Sequence, residues 1–163
     1  MIRSLTPADL DRLVELNNAA VPAVSETDAA GMQRLLALSH LALAIADDTD
    51  TVIAFALLMT PGVDYDSENY RYFERRGGEF LYVDRIVVAD SARNRGLGAD
   101  LYRAVFDAAR AEGRVEVTCE VNVDPPNPGS LRFHGRLGFT EVGRQVTKGG
   151  SVTVALLAAS VTR

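Results

Sequence analysis

The chain has 163 residues, with 17 basic and 22 acidic side chains and a net charge of −5 at pH 7. This length fits one domain over residues 1–163, and the 47% hydrophobic content excludes a disordered or fibrous chain. The acidic balance argues against binding to nucleic acid, and no apolar run reaches the roughly 20 residues that span a bilayer.

The cysteine content and the N-terminus predict the compartment. The single cysteine, Cys119, excludes an internal disulfide framework and fits a reducing environment. The chain starts without an apolar signal segment, so we expect a cytoplasmic protein. Lys148 is the only lysine among the 17 basic residues, a bias typical of GC-rich bacteria. One cysteine and two isolated histidines do not predict a metal site.

The first 60 residues predict a short strand, two helices and a hairpin. Thr6 and Pro7 are an N-cap and a first-turn proline, and Asp9 supplies a carboxylate at the third helical position. A short polar link between two apolar runs is typical of a β-hairpin. The expected elements are a strand at 2–5, a helix from 7 to about 20, a helix from about 28, and strands at 41–46 and 52–59.

Residues 61–79 break this pattern, between Pro61-Gly62 and Gly77-Gly78. Four of the eleven aromatic residues lie within Tyr65–Arg76. Two interpretations remain open from the sequence. The rings line a pocket or a subunit contact on an irregular segment, or they belong to a short helix that covers the sheet.

The remaining segments alternate between strands and helices, which predicts one mixed α/β domain. We expect a strand at 80–88, a helix at 97–112, a strand at 115–123, a short helix at 127–137, and a final hairpin at 139–146 and 152–157.

A glycine-containing turn joins the strand at 80–88 to the helix that follows. Segment 93–98 reads Arg-Asn-Arg-Gly-Leu-Gly, so basic side chains flank glycines at a helix N-terminus, where the dipole favours phosphate. A Walker loop needs a lysine here, and the chain's only lysine is Lys148. A dinucleotide fingerprint needs a third glycine where this chain has Leu101.

The remaining pattern, Arg-x-x-Gly-x-Gly, resembles the acetyl-CoA-binding motif of the GCN5-related N-acetyltransferase (GNAT) superfamily. Segment 127–139, from Asn127 through Ser130 to Gly138-Phe139, is similar to the family's second signature. The resemblance extends over nearly the whole chain. It implies a mixed sheet of about seven strands, splayed at the centre and flanked by about four helices.

The resemblance also implies where acetyl-CoA binds. Pantetheine would lie between the strands at 80–88 and 115–123, and the pyrophosphate would lie on the turn before the long helix. Asn127 is also a candidate N-cap of its helix, and it can serve both roles. The expected cofactor-binding residues are Ile86, Val87, Val88, Arg93, Asn94, Arg95, Gly96, Leu97, Gly98, Ala99, Asn127, Ser130 and Phe133.

The implied reaction transfers acetyl directly to an amine, which must lose a proton before it attacks. Tyr82 and Asp84 share one face of their strand, and Asp84 is the preferred base or ammonium anchor. An ion pair of Asp84 with Arg85 or Arg71 is the alternative. The backbone N–H of Val88 is the expected donor to the thioester carbonyl.

His134 stands where the family usually has a tyrosine that protonates the departing thiolate. A histidine can donate that proton, or it can be a structural substitution; both interpretations stay open. The implied function is N-acetylation of a small molecule, an amino acid or a peptide, with homodimerisation common in the family. The alternative is an acyl-CoA-binding sensor without turnover.

Overall fold

The computed structural model describes residues 1–161, which contain five α-helices and seven β-strands. The helices are α1 (Leu10–Ala19), α2 (Ala29–Leu38), α3 (Glu68–Arg76), α4 (Leu97–Ala111) and α5 (Pro128–Arg136). The strands are β1 (Ile2–Ser4), β2 (Leu41–Ala46), β3 (Val52–Met59), β4 (Phe80–Val88), β5 (Glu116–Asp124), β6 (Thr140–Thr147) and β7 (Val152–Ser160). Every helix within the described range is too short or too polar to cross a membrane.

The strands form a mixed sheet in the order β1-β2-β3-β4-β5-β7-β6. The β1–β2–β3 and β5–β7–β6 pairings are antiparallel, whereas β4 and β5 are parallel. The parallel pairing joins Phe80–Tyr82 to Glu116–Thr118. It covers a third of β4, as expected for strands that diverge at the centre of the sheet. The predicted α/β fold is therefore confirmed.

The chain divides into two compact units, and one of the three boundaries between them, at Tyr82 and Val83, is the point in β4 where this pairing stops. The first unit comprises residues 1–59 and 83–105, and the second comprises 60–82 and the residues from 106 onward. In the first unit, α1 and α2 contact β3. Their apolar side chains are buried because each helix repeats them on one face: Leu13, Leu16, Met32 and Leu35.

An ion pair organises the start of the first unit. Both terminal nitrogens of the Arg3 guanidinium donate to the Asp9 carboxylate, at 2.9 and 3.0 Å. Asp9 also accepts from the backbone N–H of Thr6 at 2.8 Å, which forms the predicted capping interaction. The predicted first helix is split, because Pro7–Asp9 form a 3-10 turn before α1 begins at Leu10.

The order of elements predicted from the sequence had no helix between β3 and β4. The structure contains α3 there, which corrects the predicted order. The Tyr70 ring packs against Tyr82 at 5.5 Å and Phe80 at 6.1 Å, and Phe73 packs against the same two rings. Tyr70 and Phe73 are fully buried, so these aromatics belong to the core of the second unit. The interpretation as a helix covering the sheet is therefore the correct one.

Helix α3 is fixed to strand β6 by its polar side chains. The Tyr72 hydroxyl donates to the Val142 carbonyl at 3.1 Å, and its ring lies directly over Gly143. The Gln145 amide donates to Asn69 at 3.1 Å. These contacts hold α3 in one position on the second unit.

The Arg3–Asp9 pair predicts a pH-dependent contribution to stability. The bonds from Arg3 lower the pKa of Asp9 from 3.8 to about 2. A shift of this size corresponds to about 2 kcal/mol, present above the unfolded-state pKa and lost as pH falls towards the folded value. Asp9→Asn should therefore lower the free energy of unfolding by about 2 kcal/mol at neutral pH.

Urea denaturation of both proteins between about pH 7 and pH 3 measures this difference. The gap between wild type and Asp9→Asn should narrow below about pH 4. A gap of constant size across this range would contradict the assignment.

Candidate active site

The turn between β4 and α4 has the geometry expected of an anion-binding loop. A 3-10 turn at Asp90–Ala92 ends β4, and Asn94 and Gly96 then adopt positive φ values of 64° and 74°. Helix α4 begins at Leu97, so its first backbone N–H groups lack acceptors within the helix. Such a turn presents backbone donors and the positive end of the helix dipole to a phosphate.

Two arginines border this turn. The Arg93 guanidinium pairs with Asp90 at 3.0 Å, and Arg95 donates to the Ser91 carbonyl at 3.3 Å. Both side chains are exposed, and no atom lies within 4 Å of where a Cβ on Gly96 would stand. The turn therefore has open space at Gly96 and two exposed guanidinium groups beside it in sequence, which fits a pyrophosphate group.

Strand β4 alternates in exposure beyond Tyr82. Val83, Arg85 and Val87 are buried, whereas Ile86 and Val88 are half-buried. Ile86 and Val88, whose backbone is predicted to bind the pantetheine arm, are thus the partly exposed residues of this stretch. Val87 was predicted among the cofactor-binding residues, and its side chain belongs to the core.

Asp84 takes part in an ion pair. Its Oδ2 accepts from the Arg85 Nε at 2.9 Å, and the Asp84 side chain is only 4% exposed. Arg71 instead donates to the Tyr65 carbonyl at 3.4 Å, within the second unit. Of the two ion pairs considered from the sequence, the structure contains the one with Arg85. A carboxylate held by a buried guanidinium has a structural role in addition to any chemical one.

A second carboxylate, which the sequence analysis did not select, lies beside Tyr82. The Tyr82 hydroxyl donates to Glu120 Oε1 at 2.6 Å. Tyr82 also pairs in register with Thr118, whose buried hydroxyl has no hydrogen-bond partner within the described part of the chain. Three polar side chains, those of Tyr82, Thr118 and Glu120, therefore lie at neighbouring positions of β4 and β5 in the second unit. The sequence signal was the alternation of polar and apolar residues along 115–123, which places Glu120 on one face of the strand with Thr118.

The start of α5 shows the N-cap role that was considered for Asn127. Its Oδ1 accepts from the Ser130 backbone N–H at 3.4 Å. Ser130 and Phe133 are half-buried on this helix. Their proposed contacts with the cofactor stay predictions.

His134 is a buried residue of α5 in the second unit. Its Nδ1 lies 2.7 Å from the Ser130 carbonyl oxygen and its ring packs on Phe139, with 5.3 Å between centroids. A carbonyl only accepts, so Nδ1 carries the hydrogen, and Nε2 is an acceptor in the neutral form of the ring. Burial lowers the pKa of His134, although the Ser130 bond opposes this effect. This geometry favours the structural interpretation of His134.

Among residues 1–161, no three His, Cys, Asp or Glu side chains are grouped so that they could hold a metal ion.

The family comparison places the chain in a class of acetyltransferases. The Acetyltransferase (GNAT) family profile matches residues 10–139, and the chain belongs to that family. Glucosamine 6-phosphate N-acetyltransferase 1 of Oryza sativa subsp. japonica is 32% identical over 149 residues, covering 86% of this chain and 81% of that protein.

Solved structures share the fold. The ribosomal-protein-S18-alanine N-acetyltransferase of Escherichia coli superimposes with a TM-score of 0.76 at 17% identity, covering 100% of this chain and 94% of that one. A Salmonella typhimurium protein solved with its cofactor acetyl-CoA gives a TM-score of 0.72 at 21% identity, covering 100% of this chain and 94% of that one. That bound cofactor supports the expectation that the family fold uses acetyl-CoA.

The turn at Gly96 predicts a variant that folds without binding the cofactor. Gly96→Val places a β-branched residue at a φ of 74° and should deform the turn, so acetyl-CoA no longer raises the melting temperature. Gly113→Val is the matched control, because Gly113 has a φ of 73° and equally open surroundings at the end of α4.

Thermal denaturation with and without acetyl-CoA compares the three proteins. We expect a shift for wild type and for Gly113→Val, and none for Gly96→Val. An equal shift in both variants would show that the turn does not bind the cofactor.

Replacement of His134 should have separate effects on the stability of the protein and on its catalytic rate. Because its folded-state pKa lies below the unfolded value, wild type should lose stability as pH falls below about 6.5. His134→Phe should lose less over the same interval and should keep its kcat within a few-fold. Urea denaturation at about pH 7 and pH 5 and steady-state assays measure both. A fall in kcat of about 10² or more would instead make His134 the general acid.

Proposed function

We propose that this protein transfers the acetyl group of acetyl-CoA to a primary amine of a small molecule, an amino acid or a peptide. Family membership supports acetyl transfer, and its rice relative supports nitrogen as the acceptor atom. The observation that carries the proposal is the turn at Asn94–Gly96, where positive φ values, exposed arginines and the start of α4 meet.

The turn and the part of β4 beyond its pairing with β5 would supply the binding groups. Arg93 and Arg95 would neutralise the pyrophosphate, and the N–H groups at the start of α4 would bind its oxygens. The backbone of Ile86 and Val88 would hold the pantetheine arm. Bound acetyl-CoA supplies a thioester that the amine nitrogen attacks, with release of the CoA thiol. The Val88 N–H would stabilise the negative charge that develops on the carbonyl oxygen.

Glu120 is the carboxylate that best fits the role of proton acceptor. Its bond from Tyr82 comes from a neutral hydroxyl and orients the carboxylate, which can accept several hydrogen bonds in all. Asp84 is held by the Arg85 guanidinium, so its charge already has a partner. Tyr82 then positions Glu120, and Asp84 orders β4. This proposal replaces Asp84 as the preferred base.

The proton for the departing thiolate comes from solvent in this scheme. His134 donates its Nδ1 hydrogen to Ser130, and its neutral Nε2 is an acceptor. A CoA thiol ionises near pH 8 to 9, so protonation by water is feasible near neutral pH.

A sensor that binds acyl-CoA without turnover is the second candidate. The observation that favours it is His134, because a buried neutral histidine replaces the expected tyrosine acid. Thiol release separates the two functions. The assay supplies acetyl-CoA with glucosamine 6-phosphate, alanine, spermidine and an alanine-initiated peptide. Release above the acetyl-CoA hydrolysis background with any of them supports the enzyme. Cofactor binding without release supports the sensor.

The assignment of Glu120 predicts a specific kinetic defect. Glu120→Gln keeps the acceptor for the Tyr82 hydroxyl but removes the basic carboxylate, so kcat should fall by about 10²–10⁴. Glu116→Gln is the matched control, because Glu116 lies on the same face of β5 and pairs with Arg76.

Steady-state thiol release with the accepted amine measures kcat for both variants, and thermal denaturation verifies their folding. Glu116→Gln should retain kcat within a few-fold. A fully active Glu120→Gln beside an inactive, folded Asp84→Asn would return the role of base to Asp84.

A further inference from the structure

A buried hydroxyl of the second unit lacks a hydrogen-bond partner within the described part of the chain. It belongs to Thr118 on β5, which is fully buried. A desolvated and unbonded hydroxyl destabilises a fold, and a valine of nearly the same shape would avoid that effect. Nearly all buried polar groups in native proteins bond to the protein or to an ordered water molecule. The Thr118 hydroxyl therefore needs a partner from outside the described residues.

The neighbours of Thr118 place other polar atoms on its side of the sheet. Thr118 is in register with Tyr82 on β4 and with Ala158 on β7. Glu120 is two residues further along β5, so strand alternation puts its side chain on the same face as Thr118. The bond from the Tyr82 hydroxyl to Glu120 Oε1, at 2.6 Å, agrees with this arrangement. A hydroxyl, a carboxylate and a phenol thus share one face.

This face is enclosed around Tyr82. Tyr82 is fully buried, and the rings of Tyr70 and Phe73 pack against it with 5.5 and 5.8 Å between centroids. Ala158, the partner of Thr118 on β7, contributes only a methyl group to the same layer. Bulk solvent is therefore excluded at Thr118, and a small neighbour lies beside its hydroxyl.

The spacing on β5 suits one bridging water molecule. Residues two positions apart on a strand are separated by about 6.6 Å, and a water molecule that bonds at about 2.8 Å on each side spans about 5.6 Å. Buried water molecules typically make about three hydrogen bonds. Thr118, Glu120 and Tyr82 supply three groups, because a carboxylate accepts several bonds and a phenol oxygen can also accept one.

We propose that Thr118, Glu120 and Tyr82 bind one buried water molecule, and that Thr118 is a positioning residue that orients Glu120 through this water. The inference rests on the proposed function, in which Glu120 accepts the proton of the amine. Thr118 contacts neither substrate, and no proton passes through it.

The water controls the orientation of Glu120 by adding a second directional bond. The Tyr82 hydroxyl binds one carboxylate oxygen, Oε1. A water molecule held by Thr118 donates to the same carboxylate from a fixed place, so two bonds restrict a long and flexible side chain. Proton transfer depends on this geometry, because a base must be held within hydrogen-bond reach of the proton that it removes.

Thr118→Val tests the proposal, because it removes the hydroxyl with almost no change of shape. The melting temperature should fall by about 2–4 °C, the effect of one lost hydrogen bond in a chain of this size. With the accepted amine, kcat should fall by about tenfold, since a misplaced base loses part of its contribution. The KM values for the amine and for acetyl-CoA should stay within about twofold, because Thr118 contacts neither. Thr118→Ser keeps the hydroxyl and should restore kcat.

Thr147→Val is the matched control, because Thr147 is a buried threonine on β6 of the same unit, 5% exposed. It should keep kcat within about twofold of wild type. A high-resolution crystal structure of wild type should show a water molecule within hydrogen-bond distance of Thr118 Oγ1 and of a Glu120 carboxylate oxygen. The crystal structure of Thr118→Val should lack it.

Three results would overturn the inference. In the first, Thr118→Val melts at or above the wild-type temperature, as expected for a hydroxyl that binds nothing. In the second, the wild-type crystal shows no water at Thr118. In the third, Thr118→Val keeps the wild-type kcat, or Thr118→Ser or Thr147→Val loses as much kcat as Thr118→Val. If wild type binds acetyl-CoA but acetylates no amine of the panel, the proposed function fails instead. The melting temperatures and the crystal structures then still decide whether Thr118 binds water.

Discussion

The buried guanidinium of Arg85 is the constraint that organises the first unit. Inside a core, a positive charge must be compensated by a nearby negative charge and by hydrogen-bond acceptors. Here Asp84 supplies the charge, while Asn17 and the Ser25 carbonyl supply the acceptors. One side chain therefore fixes the neighbouring carboxylate, the end of α1 and a long loop together.

This constraint also affects the assignment of chemical roles. A carboxylate that compensates a buried cation contributes to folding, and Asp84 does so beside Arg85. Glu120 instead accepts a hydrogen bond from the Tyr82 hydroxyl. The two units of the chain thus each contain a carboxylate, and the two carboxylates have different partners.

Most of the fold was predictable because its signals are local. Thr6 and Asp9 cap the first helical segment, as their spacing predicted. The bounds of β4, and the glycine turn that follows it before α4, were also predicted correctly. Helix α3 was left open because its apolar face consists of a few aromatic rings among charged residues. The hydrogen bond between Tyr82 and Glu120 depends on the register of two parallel strands. Periodicity within one strand contains no information on that register. From the sequence, both Arg85 and Arg71 were possible partners of Asp84. Only the structure shows that Arg85 forms the ion pair.

The contact between Tyr72 and Gly143 has an evolutionary consequence. A Cβ at position 143 would clash with the Tyr72 hydroxyl, so a larger residue there requires a smaller one on α3. The two positions are distant in sequence, and neither belongs to the proposed site. Relatives that lack α3 are released from this restriction and can place any side chain on the corresponding part of β6. A residue other than glycine at that position, in a relative that keeps a large side chain at position 72, would therefore indicate that the face of this hairpin is uncovered.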